Sequence, residues 1–67
     1  SALQVCQRAL EINPCTEDAH RLAMRIHAGR GDRLAVIWQY QACLQALHKL
    51  DTLPSKETQA LYQHLVA

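Results

Sequence analysis

The sequence predicts an all-α domain of about four helices. Three observations carry that expectation. Apolar residues recur at helical spacing throughout, and no stretch alternates with period two as a half-buried strand would. Two Gly and two Pro leave too few turn residues for a sandwich or barrel. The apolar share is 49%, enough for a core. With one Trp, two Tyr and no Phe, that core has to be built from Leu, Ala, Val, Ile and Cys.

The first helix carries Ala2, Cys6, Ala9 and Leu10 at helical spacing, with Leu3 and Val5 widening the stripe. Asn13-Pro14 ends it, because a residue before proline is pushed out of the α region. Thr16 is read as the cap of a second helix, and Glu17 and Asp18 suit the positive end of its dipole. Leu22, Ala23, Ile26 and His27 are expected to line its buried face, and Gly29-Arg30-Gly31 to stop it through a left-handed glycine. Asp32 should cap a third helix running to about Lys49. Val36, Tyr40, Cys43 and Leu47 form one line of it, with Ile37 and Leu44 beside them. After the break at Asp51-Thr52-Leu53-Pro54, Ser55 caps a last helix bearing Leu61, Tyr62 and Leu65.

A chain of 67 residues is one domain at most, and one this small is marginally stable unless something extends its core. The net charge of +1 offers no basic stripe for direct nucleic-acid contact and no polybasic membrane anchor. No apolar run approaches the roughly 20 residues of a membrane span, and no charged-then-apolar leader opens the chain. Three irregularly spaced Cys do not suggest a disulfide framework. Reduced, buried thiols and a cytoplasmic location are expected.

No reactive constellation appears, so no enzyme activity, metal or cofactor is expected. His20 and His27 stand seven apart, but Cys6, Cys15 and Cys43 are scattered without the short ligand spacing of a zinc site. Nothing local pairs His48 or His64 with a nucleophile. Glu17-Asp18 and Glu57 are explained by helix N-termini, and Gly29-Arg30-Gly31 lacks the strand and spacing of a phosphate loop. Three residues remain as candidate partner-binding groups. Arg21 and Arg25 are four apart in the second helix and could receive an acidic segment; pairing of Arg21 with Asp18 is the competing reading. Trp38 lies two positions off the Val36-Tyr40-Cys43 line. It is either an exposed interface anchor or a side chain packed on the first or last helix.

Shifting the chain by 34 residues lays Ala2 on Val36, Cys6 on Tyr40 and Ala9 on Cys43. Residues 17–50 then make one helix-turn-helix unit, residues 1–14 the second half of an earlier one, and residues 55–67 the start of a later one or a capping helix. This pattern resembles the tetratricopeptide repeat, with Pro14 at the closing position, Leu22 and Ala23 in the close-packing part and Gly31 in the turn. His20 stands where that repeat prefers Trp, His27 where it prefers Tyr, and His48 replaces the closing Pro. The resemblance implies stacked helical hairpins, arranged as part of a right-handed superhelix.

Pro54-Ser55-Lys56-Glu57-Thr58, followed by Leu61-Tyr62 and Leu65, resembles the closing signature of the bacterial transcriptional activator domain. The segments Cys6–Pro14, Glu17–Arg21, Gly31-Asp32 and Tyr40–Leu47 resemble the middle of that family. The family commonly has a Gly shortly before the Pro-Ser motif, where Asp51-Thr52-Leu53 stands here. The resemblance implies a protein-interaction and regulatory module of a bacterial transcriptional regulator. Its partners would be other domains of the same regulator or the transcription machinery. The alternative is a generic tetratricopeptide-like scaffold in another multidomain signalling protein, such as a signalling ATPase. An uncovered apolar face on the first helix would also favour homo-oligomers.

Overall fold

The computed structural model describes residues 1–67 and contains four helices and no strand. They are α1 (Ala2–Ile12), α2 (Glu17–Gly29), α3 (Arg33–His48) and α4 (Lys56–Val66). The local signals explain most of the boundaries. Asn13 is extended before Pro14 and ends α1. Asp32 caps α3 by accepting from the Ala35 amide, and Ser55 caps α4 by accepting from the Thr58 amide.

The head of α2 is built differently from the expectation. Thr16 holds the capping position, yet its hydroxyl donates to the Asn13 carbonyl 2.9 Å away and caps no amide. The Asn13 side chain meanwhile accepts from the Cys15 amide, making an Asx turn across Pro14. Both bonds tighten the α1–α2 corner, where the Asn13 carbonyl also accepts from the Thr16 amide at 3.1 Å.

α2 is the centre of the domain. It packs against α1, α3 and α4, whereas α1 packs only on α2. The core consists of Cys6, Ala19, Ala23, Met24, Val36, Cys43 and Leu47. Met24, Val36 and Cys43 are fully inaccessible, and burying a side chain the size of Met24 contributes about 1.5–3 kcal/mol. The expected stripe on α2 is corrected: Ala19, His20, Ala23 and Met24 are buried, Ile26 and His27 are half-buried, and Leu22 is exposed. Contact on three sides gives α2 a broad buried surface, and Leu22 lies on its one open side. Cys15 is also only half-buried; its thiol donates to the Ala46 carbonyl.

His20 is a polar residue in this core, and both ring nitrogens are engaged. Nε2 lies 2.8 Å from the Pro14 carbonyl and Nδ1 2.8 Å from Nε2 of Gln39 on α3. The carbonyl can only accept and the amide nitrogen can only donate, so the tautomer with its proton on Nε2 satisfies both contacts. α4 repeats half of this device. Gln59, four residues after its cap as His20 is after Thr16, donates through Nε2 to the Pro54 carbonyl at 2.8 Å.

Two glycines at the α2–α3 corner have opposite roles. Gly31 has φ +72°, in the left-handed region, while Gly29 is helical; a Cβ at either would meet open space. Gly31→Ala is therefore expected to destabilise the fold by about 1–2 kcal/mol through backbone strain alone. Gly29→Ala should stabilise it by about 0.5 kcal/mol. Urea titrations of both variants check the pair. Gln39→Leu leaves the buried Nδ1 of His20 without a donor and should cost about 1–3 kcal/mol, read as a lowered Tm.

Candidate protein-interaction surface

A polar cluster joins α4 to α2 and decides which charges remain available outside. Thr58 on α4 is fully buried. Its Oγ1 donates to Glu17 Oε1 at 2.7 Å and accepts from Arg21 Nη1 at 2.8 Å and from Ser55 Oγ at 3.2 Å. The same Glu17 oxygen accepts from the Ser55 amide at 2.9 Å. Arg21 also pairs with Asp18, and Glu17 and Glu57 each lie 3.9 Å from its guanidinium. No buried side-chain polar atom lacks a partner.

Burial pushes the Glu17 carboxyl up, but hydrogen bonds from Thr58 and Ser55, with Arg21 nearby, outweigh it and hold the group below its ordinary value. Between α3 and α4, Tyr40 and Tyr62 stack with ring centroids 3.9 Å apart and planes within 6°. Burial raises the Tyr40 phenol, and the neighbouring Cys43, Tyr62 and Glu17 add to the shift. Burial likewise pushes the Cys43 thiol up to about 11, so at neutral pH it is a protonated, space-filling group.

The three candidate residues have separate environments. Arg21 has a side chain 12% exposed and is surrounded by three carboxylates. Arg25 is exposed and takes part in none of the ion pairs. Trp38 is 65% exposed, with the exposed Leu34 one turn before it. Arg25 and Trp38 each stand two residues, about 200° of helix rotation, from a residue buried between α2 and α3 (Ala23 and Val36). Each therefore projects from the outer side of its own helix.

Two further features of this surface lay outside the sequence reading. An apolar cleft of about 370 Å³ runs beside the C-terminal half of α3, lined by Pro14, Cys15, Ala42, Ala46 and Leu50 among others. The Thr58–Glu17–Arg21 cluster is the second; its one signal in the sequence is a hydroxyl three residues after the Ser55 cap, on the inward side of α4. His, Cys, Asp and Glu side chains form no group of three that could hold a metal. No helix is long and apolar enough to cross a membrane.

The sign of the Glu17 effect gives a test. A carboxyl held below its unfolded-state value contributes stability above that value, and the contribution is lost as pH falls through the folded one. Glu17→Gln should lower Tm at about pH 7, and its deficit should shrink as pH falls to about 3. Thermal melts across that range check it.

Comparison with known proteins agrees with this architecture. No curated protein and no solved structure matches the chain. The family model of the bacterial transcriptional activator domain matches residues 1–66. With four helices, no strand and a match that spans all but the last residue, the chain belongs to the bacterial transcriptional activator domain family.

Proposed function

We propose that this domain is a protein-interaction and regulatory module of a bacterial transcriptional regulator, holding other domains of that regulator or the transcription machinery on its outer helix faces. Family membership supports the regulatory setting. The observation that carries the binding role is Trp38. A large aromatic side chain stands 65% exposed beside Leu34, although no Trp or Tyr is fully buried in the core. Trp is the side chain most enriched among residues that dominate interface energies.

Arg25 provides the second contact, for an acidic segment of the partner. Arg21 is already neutralised by Asp18, Glu17 and Glu57, so the free cation of the pair is Arg25. The balanced net charge supports protein rather than direct nucleic-acid partners. Function here is presentation of surfaces by a rigid hairpin, and no bond is made or broken.

The test is binding of the intact regulator's remaining domains to this domain in pull-down and titration. Trp38→Ala should weaken the complex about tenfold or more, and Arg25→Glu should weaken it in a salt-dependent way. Both variants should keep the parent Tm, because neither side chain is buried. Arg21→Glu should instead lower Tm by detaching α4. Undiminished binding by the Trp38 and Arg25 variants refutes the proposal.

A further inference from the structure

α4 fully buries a single side chain, and that side chain is polar. Thr58 is inaccessible, whereas Leu61, Tyr62, Leu65 and Val66 are half-buried. α3, by contrast, buries Val36, Cys43 and Leu47. A few specific contacts therefore hold α4 in place. Thr58 and the Ser55 amide bond Glu17 at one end, and Tyr62 stacks on Tyr40. At the far end Arg33 donates to the Val66 carbonyl 2.6 Å away. The backbone shows where such a helix turns. At the α1–α2 corner the Cys15 and Thr16 amides and the His20 ring bond Asn13 and Pro14. At the α2–α3 corner the Arg30, Gly31 and Asp32 amides bond carbonyls of α2, and Asp32 accepts from α3. Before α4 the pattern breaks. The Leu50, Asp51 and Thr52 amides bond back to Leu47 and His48, so they belong to α3. The buried Pro54 accepts from Gln59 and Ser55 caps Thr58, so those two belong to α4. Leu53 between them makes no hydrogen bond and is 75% exposed.

We infer that Pro54–Val66 is a hinged arm that swings on Leu53 as one unit, away from an α2–α3 hairpin that stays folded, with the Thr58–Glu17 bond as its latch. The hinge follows from the hydrogen bonds: those on either side of Leu53 close within their own element, and only the latch, the Tyr40–Tyr62 stack and the Arg33 bond cross between them. The latch is a single-geometry bond in place of a broad apolar contact, so losing one hydroxyl shifts the balance between docked and open arm. Opening uncovers Tyr40 and separates Glu17 and Arg21 from Thr58. It gives the domain a second conformation, which any ligand with higher affinity for the open arm selects. The inference stands apart from the Trp38 and Arg25 surfaces, which lie on α3 and α2 and do not move with the arm.

Native-state amide hydrogen exchange in low urea tests the arm. An 11-residue helix is marginal on its own in water, so the α4 amides exchange when the arm opens. The amides of Gln59 to Leu65 should exchange through one common opening, about tenfold or more faster than those of Ala23 and Cys43. Their urea dependence should be weaker, because the opening exposes less surface than unfolding does. Thr58→Val keeps the side-chain shape and the Ser55 cap on the backbone amide but removes the latch hydroxyl. It should speed α4 exchange by about a further tenfold and leave Ala23 and Cys43 unchanged. Thr58→Ser, which keeps the hydroxyl, should stay near the parent profile. Glu17→Gln weakens the same bond and takes the place of the Val variant if that chain fails to fold. The inference is overturned if α4 exchanges only together with Ala23 and Cys43. Protection that decays residue by residue inward from Val66 is end fraying and overturns it too. So does a Val variant that speeds exchange in α2 and α3 as much as in α4, or a Ser variant that opens α4 as far as the Val variant does.

Discussion

Everything in this domain depends on α2 touching the other three helices at once. That position leaves α2 a single open side, and on its packed sides the sequence places His20, Glu17 and Arg21. Burying such groups unpaired would cost more than the surrounding apolar contacts return. The fold resolves this by giving each polar group a specific partner on a different element. His20 binds the α1–α2 corner and α3, while Glu17 and Arg21 bind α4. The groups most expensive to bury thereby fix the positions of the helices.

This division of labour suits a core made of small side chains. Ala19, Ala23, Cys6, Cys43 and Val36 let the helices approach closely but offer little shape by which one register excludes another. Hydrogen bonds that work in a single geometry supply the missing specificity. The α2–α3 contact is mostly apolar with one polar pin, the His20–Gln39 bond. The α2–α4 contact centres on the charged cluster around Thr58. Conditions that alter charge therefore act on the seating of α4 before they act on the central hairpin.

Local chemistry was legible in the sequence and long-range partnership was not. The Asn13-Pro14 stop, the Asp32 and Ser55 caps and the left-handed glycine depend on residues within a turn of one another, and the structure has all of them. Asp51, in the break before the Pro-Ser motif, takes φ 54°, a left-handed conformation that Asp tolerates and Gly adopts freely. The buried face of α2 was misplaced because an apolar scale ranks Leu22 above His20, and only Gln39, 19 residues away, makes His20 the better core residue. Thr16 was misread because Asn13 competes for its hydroxyl. Periodicity put Trp38 off the core line but could not say whether another helix covered it.

The Thr58 cluster also shapes the field that a partner meets. Glu17, Asp18 and Glu57 gather at the N-terminal end of α2 around Arg21, and Lys56 stands beside Glu57 at the head of α4. Arg25, Arg30 and Arg33 follow toward the other end, all exposed. These three arginines, with Asp32 among them, leave the α2–α3 corner basic although the whole chain is nearly neutral. Such a field adds little affinity but orients an approaching chain, because like charges placed together are costly. On the proposed reading, the acidic residues of a bound segment lie toward the α2–α3 corner. Arg21 leaves that role to the corner arginines, because Asp18, Glu17 and Glu57 already neutralise it where it holds α4 to α2.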